Sequence, residues 1–299
     1  MKKICLLLMA MPLLFASCSK EFESCKKEPV TIDFCANFTD AAATKAGESL
    51  VADKVWCAVF ENGVEIKPLR EVYTVSGTQG VVYAPVLLKG HTYDIVFWAS
   101  KNGCYVTDDL TSITRAANGS SSEADYDAYT AKTTILVADS KTETVVLKRP
   151  LAQLNVGVIT EDWQAVSDPA KLNITPKNTI ITFEGKNAFN ALEGKSTGKS
   201  QEIVYNLPIS GYDLTCNGKT YKSVGLCYIF PESEKQTADM TLDFYGDKNV
   251  IIRENLLVPH VPLQVNYRTS IVGNMFTSSI RYNVSIDTNF ANSSVVEQF

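Results

Sequence analysis

Residues 30–38 (VTIDFCANF) alternate: Ile32, Phe34, Ala36 and Phe38 fall on one side, with Thr31, Asp33, Cys35 and Asn37 on the other. Successive side chains of a strand point to opposite faces, so this stretch predicts a half-buried strand. Residues 54–60 (KVWCAVF) and 93–99 (YDIVFWA) are apolar on both faces and predict covered, central strands. Asn62-Gly63 after the first of these predicts a hairpin, because both turn positions need positive φ. Residues 71–75 and 81–88 continue the extended pattern, and Pro85 places the latter at a sheet edge. Residues 107–132 break it and predict a long surface excursion with a turn of helix near Tyr126. Residues 135–137 and 144–147 return to the sheet.

The second part of the chain repeats the style. Residues 153–160 (QLNVGVIT) predict a strand, followed by a short helix around Trp163 that ends near Asp168-Pro169. Further strands are expected at 179–183, 202–207, 224–230 and 250–257, with a Gly- and Lys-rich loop over 187–200. Residues 239–245 (DMTLDFY) alternate cleanly, with Met240, Leu242 and Phe244 inward, and 247–249 form the next hairpin turn. Pro259 and Pro262 are expected to break the chain. Residues 266–277 read as extended, and 281–287 (RYNVSID) alternate again. Many short runs of β-branched and aromatic residues, punctuated by Gly, Asn, Asp and Pro, define an all-β chain of two β-sandwich domains in tandem. The boundary falls near Lys148, giving domains over 30–148 and 149–299.

The first residues have another logic. Lys2 and Lys3 precede an apolar run over 4–15, and Ala16 and Ser17 lead into Cys18. This is the layout of a secretory signal, residues 1–17. The cysteine directly after the small residues resembles a bacterial lipobox, with Phe15 where Leu is usual. The run is too short to span a bilayer comfortably. Lipidation of Cys18 implies export and a durable membrane anchor, since each buried methylene contributes about 0.8 kcal/mol and several chains act together. Residues 18–29 then read as a charged, polar tether.

Charge and chemistry narrow the function. The chain of 299 residues carries a formal net charge of −5 with both signs interspersed, so no basic stripe marks a nucleic-acid face. With two histidines, His91 and His260, neither near a nucleophile-elbow pattern, a catalytic triad is disfavoured. No HExxH, CxxC, P-loop or dinucleotide fingerprint occurs, so neither metal nor cofactor is expected. The acids Glu123, Asp125 and Asp127 could meet Ca²⁺ but lack EF-hand spacing, and solvated loop acids are the norm. Cys57–Cys104 and Cys216–Cys227 are conceivable disulfides of an exported chain. Trp56 and Trp98 lie within apolar strands and predict core packing. Trp163, beside Glu161, Asp162 and Gln164, is the candidate for a glycan platform.

Several of these pieces together resemble the fimbrillin-like surface lipoproteins of Bacteroidota: the lipobox at Cys18, a short first strand, a small-residue linker carrying Lys45, and two β-rich halves. The run Pro262-Leu263-Gln264-Val265-Asn266-Tyr267-Arg268-Thr269 followed by Gly273-Asn274 adds to the likeness, as does Lys148-Arg149-Pro150-Leu151-Ala152-Gln153-Leu154. The resemblance implies two transthyretin-like sandwiches in a non-enzymatic fimbrial subunit (tip, anchor or stalk) on the outer membrane. It implies proteolysis between Lys45 and Ala46, removal of the strand 30–38, and filling of the opened groove by a strand of a neighbouring subunit, another fimbrial protein or a second copy. The donor would be the region 281–299. Its further partner would be a host or bacterial surface receptor. Lys45 stands where many members carry Arg, and an uncut chain would keep its lipid as a permanent anchor. A carbohydrate-binding lipoprotein of a glycan-uptake system shares the lipobox, β domains and acidic charge, and is the competing reading.

Overall fold

The computed structural model describes residues 28–38, 52–76, 79–277 and 280–287, and the backbone of the strand Ser294–Glu297. The signal, Cys18, Lys45 and Ala46 lie outside the described residues.

The chain is all-β. In the first half a three-stranded sheet runs in the order Thr142–Leu147, Asp33–Phe38, Val81–Tyr83. Across from it lie Ala128–Leu136, Thr92–Ser100 and Lys54–Glu61, with Val64–Glu65 and Glu71–Thr74 both pairing Lys54–Glu61. Ile32, Phe34, Val55, Cys57, Ile95 and Phe97 fill the space between. The Asn-Gly hairpin forms as expected, with Asn62 at φ 52° and Gly63 at φ 79°.

In the second half a six-stranded sheet is ordered Asp213–Cys216, Lys219–Ile229, Ala152–Val158, Arg268–Asn274, Arg281–Asp287, Ser294–Glu297. A four-stranded sheet of Gln201–Pro208, Pro176–Gly185, Lys235–Gly246 and Ile251–Gln264 packs against it. Met240, Leu242 and Phe244 point into this second core, as their alternation requires. The helix Thr160–Ser167 starts with Glu161 and Asp162 in its first turn, where acids suit the helix dipole, and stops before Pro169.

Three expectations are corrected. The stretch 107–132 is not a surface excursion. Leu110, Ile113 and Tyr126 are buried and cover the second face of Lys54–Glu61 and Thr92–Ser100, where Trp56, Phe60 and Trp98 would otherwise meet water. The 3₁₀ turn Glu123–Tyr126 supplies the expected turn of helix. The loop over 187–200 is a hairpin, Ala188–Asn190 with Lys195–Thr197, which joins Ile113–Arg115 and Tyr105–Val106 in a sheet shared by both halves. Finally, Pro259 and Pro262 do not break the chain. They lie within the continuous strand Ile251–Gln264, the last strand of its sheet among the described residues, and an edge strand tolerates a missing N–H. Bulges against Lys235–Gly246, with Asn255 and His260 at positive φ, further interrupt that edge.

The aromatic cluster between the halves joins Trp98 to Tyr105 edge-on at 5.3 Å and to Phe189 at 5.8 Å, and stacks Phe189 on Phe230 at 5.6 Å. Trp56 and Trp98 are core residues, as predicted.

Candidate functional site: the slot of the first strand

The first strand occupies a slot between two partners. Pro85 lacks an N–H and divides the neighbouring strand into Val81–Tyr83 and Val86–Leu88. The first strand divides to match: Pro29–Thr31 pairs with Val86–Leu88, and Asp33–Phe38 pairs with Val81–Tyr83. Between them the Ile32 N–H donates to the Pro85 carbonyl at 3.4 Å. On its other side Asp33–Phe38 runs parallel to Thr142–Leu147, with Cys35 opposite Thr144 and Asn37 opposite Val146. Gly80 permits the close approach, since a Cβ there would sit 2.6 Å from the Ala36 carbonyl oxygen.

Ile32, Phe34, Ala36 and Phe38 are buried, while Asn37 is exposed and Cys35 half-buried. Phe34 packs on Tyr83 and Phe97, each at 6.4 Å between ring centroids, and Phe38 meets Tyr129 edge-on at 5.3 Å. Burial of Ile32, Phe34 and Phe38 contributes about 2 kcal/mol each. If the strand left, Thr142–Leu147 and Val81–Tyr83 would both expose unpaired backbone beside an apolar floor of Phe97, Tyr83 and Tyr129. Such a slot accepts any alternating strand that restores both ladders. Among the described residues no strand lies beyond Thr142–Leu147.

The other residues singled out from sequence are placed as follows. Trp163 is half-buried, 6.3 Å from the Phe276 ring, and packs on the second core. His91 bonds Glu61 at 2.5 Å and stacks on Tyr93, and His260 is an exposed ion-pair partner of Asp239. Each of the three clustered acids has its own cation. Glu123 takes Arg115 at 2.6 Å, Asp125 takes Lys101 at 2.6 Å and Asp127 takes Arg149 at 2.6 Å. Burial pushes the Asp125 carboxyl up, but hydrogen bonds from Lys101 and Ser120 hold it below the usual range. Among the described residues no group of three or more His, Cys, Asp or Glu side chains is arranged to hold a metal.

The five described cysteines are free thiols. Cys57 faces the first core and Cys104 the opposite side of that sheet, while Cys216 and Cys227 lie in separate clusters, so neither conceivable pair can close. Burial pushes the Cys57 and Cys227 thiols well up and that of Cys104 up to about 11, and these buried groups behave as small hydrophobes.

Two functional-looking clusters had no sequence signal beyond isolated polar residues beside apolar runs. Arg149 lies where the chain passes from one half to the other. It grips Asp127 bidentately, with both bonds at 2.6 Å, donates to the Tyr129 hydroxyl at 2.8 Å, and reaches Asn266 of the second half at 3.3 Å. Burial pulls its guanidinium down, but the Asp127 charge more than offsets this and holds it above the usual range. Asp162 is buried and accepts the backbone N–H groups of Met275, Phe276 and Thr277 at 2.7, 2.7 and 3.0 Å, fixing the turn after Arg268–Asn274. Among the described residues no helix is long and apolar enough to cross a membrane.

Fold and slot together define an all-β protein of two packed sandwiches whose first strand is a plug between two partners. The chain belongs to a family of unknown function (DUF6562), which matches it over residues 25–298. No curated protein matches it. It is similar in fold to a Bacteroides thetaiotaomicron structure named "putative polysaccharide binding proteins (DUF1812)", at TM-score 0.50 and 13% identity, covering 90% of this chain and 98% of that chain. It is also similar to a "putative adhesin" of the same species, at TM-score 0.52 and 10% identity, with 90% and 98% covered. A looser likeness, TM-score 0.46 at 9% identity, covers 87% of this chain and 97% of the fimbrial anchor protein Mfa2 from Porphyromonas gingivalis. At these identities the first two likenesses are of fold, and the third is too loose to carry weight.

Proposed function

We propose that the protein is a non-enzymatic adhesive subunit of fimbrial type, exported to the outer membrane as a lipoprotein through Cys18 and assembled by strand exchange. The observation that carries this reading is the slot of the first strand: the inward side chains Ile32, Phe34, Ala36 and Phe38, with one parallel and one antiparallel partner for Asp33–Phe38. A cut between Lys45 and Ala46 would free the covalent hold on that strand, and a strand from the region 281–299 of another subunit would refill the slot. The name of the adhesin-like fold neighbour points the same way.

The test is limited trypsin treatment of the purified lipoprotein, followed by mass spectrometry of the new N-terminus and size-exclusion chromatography. Expected are a start at Ala46, loss of the lipidated Cys18 fragment, and oligomers. Cut chain that stays monomeric and holds residues 30–38 would sink the assembly reading.

A second reading, a carbohydrate-binding lipoprotein of a glycan-uptake system, draws on the polysaccharide-binding name of the other fold neighbour. Its platform would be Trp163, and glycan binding lost in Trp163→Ala but kept in Tyr212→Ala, with intact melting curves, would support it.

A further inference from the structure

A concavity of about 290 Å³ lies where the two halves meet, separate from the strand slot. Ser121, Ser122 and Glu123 of the first half and Ser210, Tyr212 and Ser223 of the second line it. Tyr212 is 76% exposed. Its ring does not dangle from a loose loop. The Gly211 N–H donates to the Ser223 carbonyl at 3.0 Å, and the Ser223 N–H donates back to the Tyr212 carbonyl at 2.8 Å. Gly211 has φ +67°, and a Cβ there would sit 3.2 Å from the Trp163 ring. The backbone of the turn is therefore held by two hydrogen bonds and by Trp163 beside Gly211, and it places Tyr212 at the rim of the concavity. That gives Trp163 a positioning role under the turn.

The rest of the lining offers hydroxyls. The side chains of Ser121, Ser122, Ser210 and Ser223 have no protein hydrogen-bond partner among the described residues, and each can donate and accept. Glu123 is clamped by Arg115 Nη2 at 2.6 and 2.7 Å, which neutralises it and leaves lone pairs on both oxygens. Glu123 is the one charged residue lining the concavity. An anionic ligand would find no free cation there. Hydrolysis of a glycosidic bond would need a second carboxyl group, which the lining lacks.

We propose that this groove binds a neutral saccharide unit of a glycan, with a sugar face on Tyr212 and its hydroxyls bonded by the serines and Glu123. An aromatic side chain lining the same concavity as several hydroxyls and a carboxylate matches a ligand whose surface is C–H on one side and O–H around the rim. Such binding would supply the adhesive contact without any change in the strand slot.

The experiment is isothermal titration of the full mature chain with maltohexaose, laminarihexaose, xylohexaose, mannohexaose and lacto-N-tetraose, with oligogalacturonate as the anionic comparison. We expect at least one neutral probe to bind. Tyr212→Ala should weaken it by about tenfold or more, and Tyr212→Trp should retain it. Ser122→Trp, which fills the groove from the other half, should abolish it. Tyr212 and Ser122 are exposed, so the variants should keep the parent melting curve. No binding by any neutral probe, binding unchanged in Tyr212→Ala, or tighter binding of oligogalacturonate would each overturn the proposal. Uncut monomer suffices here, so failure of this assay and failure of assembly after cutting are read separately.

Discussion

Asp33–Phe38 and Ala152–Val158 occupy the same topological place in their halves. Each lies between a later parallel strand (Thr142–Leu147 or Arg268–Asn274) and an antiparallel one (Val81–Tyr83 or Lys219–Ile229). Their attachments are opposite. Asp33–Phe38 is buried on one face, and its antiparallel ladder spans three residues. Ala152–Val158 is buried along its whole length. Gln153 on its second face donates to the Tyr228 hydroxyl at 2.9 Å and accepts from Arg268. Beyond its parallel partner stand two more strands, Arg281–Asp287 and Ser294–Glu297, where the first half has none among the described residues. One arrangement of strands is thus buried on one face in the first half and along its whole length in the second.

The joint between these two strands should give the largest effect. Arg149 follows the parallel partner of the first and precedes the second, and its pair with Asp127 is buried, with both side chains 7% exposed. Removing one partner of a buried pair strands the other charge. Asp127→Ala should therefore cost about 3–5 kcal/mol in guanidinium unfolding, and the double variant Asp127→Ala/Arg149→Met should recover much of it. A single-variant loss below about 1 kcal/mol would mean that the joint does not hold the halves.

Next in size is the fully buried strand. Ala152–Val158 leads into the helix carrying Asp162, which ties the end of the parallel partner through three backbone N–H groups. Asp162→Ala orphans those buried donors and should cost about 2–4 kcal/mol. On the plug strand the polar residue Asn37 is exposed, and Asn37→Ala should stay within about 0.5 kcal/mol. Thermal unfolding of the two variants side by side checks the contrast. Equal losses would erase it.

How far the sequence foresaw this differs by feature. Alternation in 30–38 and 239–245 located two strands and their inward faces, because one face of each meets a core and the other does not, whereas 281–287 is a strand in which neighbouring Val284 and Ser285 are both buried. The double-faced apolar runs announced that Lys54–Glu61 and Thr92–Ser100 are covered twice, but not by what. The cover comes from 104–128 and 188–191, where buried Leu110, Ile113, Tyr126 and Phe189 sit among Ser, Gly, Asn and Asp without a period. Glu123, Asp125 and Asp127 share a spacing that suggests one site. The 3₁₀ turn Glu123–Tyr126 followed by extended chain sends them to three cations instead. Asp127–Arg149 and Asp162–Phe276 are separated by 22 and 114 residues, and pairing at such distances leaves no local pattern. The concavity beside Tyr212 is harder still, being assembled from short polar segments of both halves.

The smallest expected perturbation is no mutation at all. Native-state hydrogen exchange reads how readily each strand opens, and strands with less buried apolar contact and more solvent-facing ladder open at lower free energy. The amides of Asp33–Phe38 have a parallel ladder with no further strand beyond it among the described residues and an antiparallel one three residues long. They should open sub-globally, and exchange about a hundredfold faster than those of Ala152–Val158, which should exchange only through global unfolding. Phe34 and Val156, inward on each strand, are the amides to compare. If the plug strand opens alone, mild denaturant should separate the two opening energies, and Thr142–Leu147 should lose protection together with Asp33–Phe38 because they share a ladder. Equal protection of the two strands would show that the first is locked as firmly as the second. In that case a cut at Lys45 would leave it in place, and strand exchange at this slot would have no opening step.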